Sequence, residues 1–249
     1  MLGYVCKYTP MELFEAMDTE ITRLEPSVTD FNHADTLMHA NICSYTKAVL
    51  EDVMEHDYEG VILTTCCDSI RRLYDTLKSQ FPDKFFFLLD IPRKFNDFAV
   101  TLYERQLKQM LTEYEAFSGK TLDLKRFVSM MQNKAALKKQ ENTRMSASAA
   151  SEKGNGQKLN IGIMGARCNN EIRQLLVDRG ANLLFDLTCT GLARDFSITE
   201  DQALHSYAAA LLNQIPCMRM LKAANREHFL DGFTDRLDGI IYLSLIHIS

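Results

Sequence analysis

Apolar positions along the chain follow two different spacings, and their alternation predicts a mixed α/β fold. Stretches with apolar residues three and four positions apart predict helices, whereas short runs rich in Val, Ile, Leu and Phe predict buried strands. Strand, helix, strand in succession is typical of a parallel sheet covered by helices. The predicted helices cover residues 10–24, 34–56, 68–81, 95–119, 122–145, 169–180 and 199–214, and the predicted strands 60–65, 84–92, 159–166, 181–191 and 237–245.

A change of composition divides these elements into two groups. Residues 146–158 are small and polar and include two glycines, a composition that predicts a linker or an exposed loop. We therefore expect an N-terminal α/β domain over residues 1–145 and a shorter C-terminal α/β domain over residues 159–249.

Composition and charge narrow the classes of function. The formal net charge of -5 argues against a nucleic acid or an anionic membrane as partner. No stretch approaches the roughly eighteen consecutive apolar residues of a membrane span. The first ten residues lack the pattern of a secretion signal, so we expect a cytoplasmic protein. The phosphate-binding pattern G-x-x-x-x-G-K-[ST] is missing, so we do not expect the chain itself to hydrolyse ATP.

The seven cysteines are the candidate functional residues. In a reducing compartment, a chain of this size uses cysteine for metal binding or catalysis more than for disulfides. Cys66 and Cys67 stand together between a predicted strand and the helix that starts at Asp68. Cys189 has the equivalent position in the second half, and Cys217 lies in a loop after a helix. Functional groups collect at the carboxyl ends of parallel strands, and helix N-termini stabilise thiolates.

Core packing is the alternative for each cysteine, because a free cysteine often behaves as a small apolar side chain. Packing is preferred for Cys168, and Cys6 is undecided. His33 and His39, which precede Cys43 in a helical stretch, are interpreted as solvated. The sequence contains no C-x-x-C pair, which weakens a zinc or thioredoxin-like interpretation. The residues alone thus indicate a two-domain α/β protein with a cysteine-ligated metal site.

Seven segments add a family resemblance. In order they are "GYVCKYTPMELFEAM", "NICSYTKAVLE", "GVILTTCCDSIRRLYD", "LLDIPRK", "LTCTGLARDF", "IPCMRM" and "DGIIY". The chain resembles the 2-hydroxyacyl-CoA dehydratase and benzoyl-CoA reductase family, which implies two Rossmann-like domains with an iron–sulfur cluster in the cleft between them. Its dehydratases hold a 4Fe–4S cluster with three cysteines, and Cys43 and Cys67 match two of these. The third would follow "DGIIY". Here the sequence continues "LSLIHIS", so residues 243–249 are expected to be non-native and the C-terminal domain truncated.

The doubled "CCD" resembles the double-cubane subgroup, whose 8Fe–9S cluster needs further thiolates. Cys66, Cys189 and Cys217 are the candidates, with Cys6 in reserve. The resemblance implies an oxygen-sensitive iron–sulfur reductase, favoured as a homodimer, that passes low-potential electrons from an ATP-dependent iron–sulfur activator to a small-molecule substrate.

Two other functions stay open. One is a subunit of an (R)-2-hydroxyacyl-CoA dehydratase, a lyase with a single 4Fe–4S cluster, an acyl-CoA substrate, ketyl-radical chemistry and a sister subunit. The other is a non-catalytic α/β binding or scaffold protein whose cysteines only pack. No catalytic acid or base is nominated for any of these functions.

Overall fold

The computed structural model describes residues 1–28, 30–149, 158–191, 198–214, 217, 219–221 and 223–244. The chain forms two compact units. The first contains residues 1–92 and 96–127, and the second contains residues 93–95 and 128–249. None of the described helices is long and apolar enough to cross a membrane.

The first unit is built on a four-stranded parallel sheet with the strand order β2-β1-β3-β4. Its elements are β1 (Leu2–Tyr4), α1 (Met11–Ala16), β2 (Ile21–Arg23), α2 (Asn32–Leu37), α3 (Ser44–Glu55), β3 (Gly60–Thr64), α4 (Asp68–Gln80), β4 (Phe85–Leu89) and α5 (Asp97–Ser118). Helix α6 (Leu124–Ala149) begins in this unit and continues into the second.

Burial explains the central strands of this sheet. Every residue of β3 is buried, as expected for a strand covered by helices on both faces. The side chains of Val61, Leu63 and Phe86 belong to one apolar core with residues of α3 and α4. Helix α5 is capped at its N-terminus by Asn96, whose side chain accepts a hydrogen bond from the Ala99 N–H at 2.8 Å.

The second unit is built on a three-stranded parallel sheet with the order β6-β5-β7. Its elements are β5 (Leu159–Gly165), α7 (Asn170–Asp178), β6 (Ala181–Leu187), α8 (Ala203–Asn213), α9 (Ala223–Asp231) and β7 (Gly239–Leu243). Phe185 on β6 packs edge-on against Phe229 of α9, with ring centroids 5.7 Å apart. The prediction of α/β units with parallel sheets flanked by helices is therefore confirmed.

Two predicted helices were wrong in extent. The helix predicted over 10–24 ends at Ala16, because Asp18 adopts a left-handed conformation with φ 52° and the chain turns into β2. The helix predicted over 34–56 is two helices, α2 and α3, separated by residues 38–43. Met38 has extended backbone, so α2 cannot continue through it. Cys43 consequently lies at the start of α3 and not in the middle of a helix.

The predicted domain bounds stay a prediction. Helix α6 extends to Ala149, four residues into the segment predicted as a linker, and residues 150–157 lie outside the described part of the chain. Strand β7 includes Leu243, while residues 245–249 also lie outside the described part. The strands β1 and β2 and the helix α9 were not predicted.

Candidate metal centre

The carboxyl edge of the first sheet gathers cysteines from two neighbouring strands. Strands β1 and β3 are adjacent and parallel, with Tyr4 paired opposite Ile62. Cys6 follows the end of β1 by two residues, and Cys66 follows the end of β3 by two residues. Because parallel strands end at the same edge of a sheet, Cys6 and Cys66 lie side by side there. Both side chains are partly buried against the same apolar core.

Two helices also start with a cysteine. Cys43 is the N-cap residue of α3 and Cys67 is the N-cap residue of α4, and both have extended backbone. Neither residue makes a side-chain capping hydrogen bond. A helix that connects two parallel strands runs opposite to them, so its N-terminus lies toward their carboxyl edge. The N–H groups of the first turn and the helix dipole would stabilise a thiolate at either position.

The thiols of Cys6, Cys66 and Cys67 interact. Hydrogen bonding with Cys67 raises the pKa of the Cys66 thiol well above its ordinary value, and burial and the proximity of Cys6 raise it further. The effect of Thr64 on the same pKa is opposite in direction, since its hydroxyl favours the Cys66 thiolate. Cys66 is consequently a neutral thiol in the metal-free protein, and a bound cation would be needed to hold it as a thiolate.

Thr64, the last residue of β3, carries an unsatisfied hydroxyl. Its side chain is 0% exposed, and its Oγ1 completes no hydrogen bond within the described part of the chain. A buried hydroxyl without a partner costs about 1–3 kcal/mol, so such groups in native proteins call for an explanation. The position of Thr64 beside Cys66 offers one: the hydroxyl would gain the Cys66 thiolate as its acceptor once a bound cation deprotonates that thiol.

Cys43 has a hydroxyl neighbour of its own. Its Sγ lies 3.1 Å from Oγ1 of Thr46, in the first turn of α3, and Thr46 is fully buried. A hydroxyl at this distance would donate to the sulfur once Cys43 is a thiolate.

A carboxylate completes the same edge. Asp90 directly follows β4, the strand beside β3, and its Oδ1 accepts a hydrogen bond from Thr65 Oγ1 at 2.6 Å. Asp90 is exposed, so its carboxylate is open to solvent. The sequence pattern does not indicate Thr64 or Asp90. Both are polar residues at the end of a buried strand, and this position is the signal that could have identified them.

The remaining cysteines belong to the second unit. Cys189 is partly exposed and follows the end of β6 by two residues. Cys168 is 0% exposed, in agreement with packing. Cys217 is 8% exposed, and its carbonyl accepts a hydrogen bond from Arg226 Nη1 at 2.9 Å. In the first unit, the half-exposed His33 is hydrogen-bonded through Nδ1 to the buried carboxylate of Glu51 at 2.7 Å.

Within the described residues, no three His, Cys, Asp or Glu side chains are arranged closely enough to hold a metal ion. The chemistry of the edge nevertheless fits an iron–sulfur cluster in donor type, since such clusters are held by cysteine thiolates. Two helix N-termini without side-chain caps and one unsatisfied hydroxyl supply hydrogen-bond donors for a negatively charged group. The residues present therefore fit the group.

The fold and this edge define a class: an α/β protein with two parallel sheets and a thiol-lined carboxyl edge in its first unit. Residues 6–144 match the family model for the 2-hydroxyglutaryl-CoA dehydratase D-component. The match spans more than half of the chain, and the chain belongs to this family. It includes Cys6, Cys43, Cys66 and Cys67. No curated protein gives a significant match to the chain.

Proposed function

We propose that the chain is an iron–sulfur reductase that takes low-potential electrons from an ATP-hydrolysing activator and passes them to a small substrate. The family supports a 2-hydroxyacyl-CoA dehydratase component in general. The observation that carries the finer proposal is the pair of adjacent thiols Cys66 and Cys67 at the end of β3, with Cys6 beside them. One thiol at this edge would suffice for a single cubane, whereas two suit a double cubane.

Five cysteines are the proposed ligands of a double-cubane cluster. Cys43 and Cys67 would bind from the N-termini of α3 and α4, and Cys66 from the loop between β3 and α4. Cys189 and Cys217 are the further proposed ligands. When bound, the cluster would supply single-electron transfer at low potential.

The chain's own residues would hold the charge of these ligands. The first-turn N–H groups of α3 and α4 face the N-cap positions and stabilise negative charge on Cys43 and Cys67. The Thr64 hydroxyl favours the thiolate of Cys66, against the effects of burial and of the two neighbouring thiols.

The family description favours a second candidate. A dehydratase D-component would carry one 4Fe–4S cluster and act on an acyl-CoA with a sister subunit. In that function Cys43 and Cys67 remain ligands, whereas Cys66 only packs. The double-cubane reductase would be a homodimer with the same kind of activator, so partner and cluster size separate the two functions.

Iron and acid-labile sulfide per chain test the proposal, measured on protein prepared without oxygen. Two bridged cubanes would give about eight irons per chain and one cubane about four. We expect about eight, falling when Cys66 is replaced by serine. A value of about four that Cys66→Ser leaves unchanged would favour the single-cluster dehydratase. A folded chain without iron would leave a non-catalytic α/β protein whose cysteines pack.

A further inference from the structure

The loop that follows β6 folds back onto the end of its own strand. Asp186 Oδ1 accepts hydrogen bonds from the Thr188 N–H at 2.9 Å and from the Thr188 hydroxyl at 2.5 Å. Gly191 packs against Asp186 so closely that an added Cβ would overlap its carbonyl and carboxylate oxygens. The loop between Thr188 and Gly191 is therefore tied to one carboxylate.

Arg173, on α7, connects this carboxylate with the other side of the loop. Its Nε donates to Asp186 Oδ2 at 2.8 Å, and its Nη2 donates to Thr190 Oγ1 at 2.7 Å. The Thr190 hydroxyl in turn donates to the Cys168 carbonyl at 2.6 Å. The two bonds from the Arg173 guanidinium are charge-assisted, and such bonds are about twice as strong as neutral ones. Four segments of the second unit are thus joined: α7, the end of β6, the loop after β5 and the loop after β6.

The network uses the residues on both sides of Cys189. Thr188 is 0% exposed and Thr190 is 9% exposed, and the hydroxyls of both are hydrogen-bonded inside the network. Cys189, between them, is more exposed than either threonine. Residues 188–190 form a bend in which the hydroxyls of Thr188 and Thr190 lie 3.1 Å apart, so both threonines are fixed toward the network and Cys189 is the partly exposed residue between them.

We propose that Arg173 and Asp186 are positioning residues that hold the Cys189 thiol in one orientation before any ligand binds. The inference rests on the proposed function, in which Cys189 is a cluster ligand. A metal ligand gains affinity when hydrogen bonds around it fix its direction in advance. The described bonds of Arg173 and Asp186 reach Thr188 and Thr190, so the two residues act on Cys189 through the threonines that flank it.

The test measures the reactivity of Cys189 in the full chain, kept metal-free and reduced. Iodoacetamide is the probe, and peptide mass spectrometry gives the alkylation rate of each cysteine. Asp186→Asn removes the charge that Arg173 and Thr188 share. We expect the rate at Cys189 to rise at least about fivefold, because a loop without these bonds opens more often. The rate at the buried Cys168 is expected to stay low.

Asp178→Asn is the matched control. Asp178 lies on α7, is exposed and accepts a hydrogen bond from Gln174 Nε2 within the same helix, so its replacement should leave the Cys189 rate unchanged. Arg173→Lys is a milder second variant, which keeps the positive charge but lacks the planar group that bonds Asp186 and Thr190 at the same time. It is expected to raise the Cys189 rate by a smaller factor than Asp186→Asn.

Two outcomes would overturn the inference. One is a Cys189 rate that stays at the parent value in both network variants. The other is a parallel rise at Cys168, which would show that the network holds the unit together and does not position one thiol. Measurement of the iron content distinguishes a failure of this inference from a failure of the proposed function. If Cys189→Ala binds as much iron as the parent, the ligand role of Cys189 fails, whereas the alkylation rates still decide whether the network orients it.

Discussion

Replacing Thr64 by valine should stabilise the metal-free protein. The Thr64 side chain is fully buried, and its hydroxyl completes no hydrogen bond in the described structure while Cys66 beside it is a neutral thiol, so folding removes that hydroxyl from water with little compensation. Valine has nearly the same shape, lacks the hydroxyl and is well suited to a buried strand. A buried unsatisfied group costs about 1–3 kcal/mol, so we expect Thr64→Val to raise the free energy of unfolding by about 1–2 kcal/mol.

Thr19→Val is the matched control, because Thr19 is also buried but its hydroxyl is satisfied. Its Oγ1 lies 3.0 Å from the Tyr114 hydroxyl and accepts from Lys120 Nζ at 2.9 Å. The same substitution there should lower the free energy of unfolding by about 1 kcal/mol, since Tyr114 and Lys120 each lose one hydrogen bond and keep another, to Glu59 and to the Asp18 carbonyl.

Urea unfolding of the reduced, metal-free proteins measures both changes. The two substitutions are expected to change the free energy of unfolding with opposite signs, and this difference tests the role of the Thr64 hydroxyl. If Thr64→Val destabilises the chain as much as Thr19→Val does, the Thr64 hydroxyl is paired in the metal-free protein and the reasoning is refuted. In protein loaded with iron and sulfide, the advantage of valine should disappear, because the threonine hydroxyl then has an acceptor.

Three further predictions concern the frame around the site. Asn96→Ala removes the side-chain cap of α5 and should lower the free energy of unfolding by about 1 kcal/mol in urea; no change would contradict the capping role. Gly60→Ala places a Cβ against the Phe85 carbonyl across the β3–β4 pair, and a loss of about 3 kcal/mol or less soluble protein is expected; parent-like stability would show that the strands can separate. Burial and the hydrogen bond to Asp52 raise the pKa of Tyr58 to about 12, from 10.0. The unfolded chain loses this proton first, so stability should fall as the pH rises from 10 towards 12, and Tyr58→Phe should remove that part of the decline.

The sequence predicted the strands that have five or more residues. The apolar runs at β3 and β4 are buried almost throughout, and those at β5, β6 and β7 are long enough to be recognised although they are only partly buried. Strands β1 and β2 have three residues each, too few to show a period, and they are held by pairing with distant segments. The break between α2 and α3 escaped prediction because residues 38–43 contain neither Gly nor Pro.

The candidate site likewise has features that local sequence predicts and features that depend on contacts between distant segments. The placement of Cys66 and Cys67 between a strand and a helix follows from local sequence and agrees with the structure. The proximity of Cys6 depends on β1 pairing with β3, across more than fifty residues, which no local pattern reveals. The network around Cys189 likewise joins groups from separate places in the sequence: the backbone of Cys168 and the side chains of Arg173 and Asp186.

The most direct test of the central claim is the iron content of Cys67→Ser, prepared without oxygen beside the parent protein and Cys168→Ala. Cys67 is the proposed ligand that the double-cubane and single-cubane functions share, and Cys168 is a buried cysteine assigned to packing. We expect Cys67→Ser to lose most of the bound iron and sulfide while Cys168→Ala keeps the parent amounts. Parent-like iron in folded Cys67→Ser would contradict the assignment of the first sheet's carboxyl edge as the metal centre.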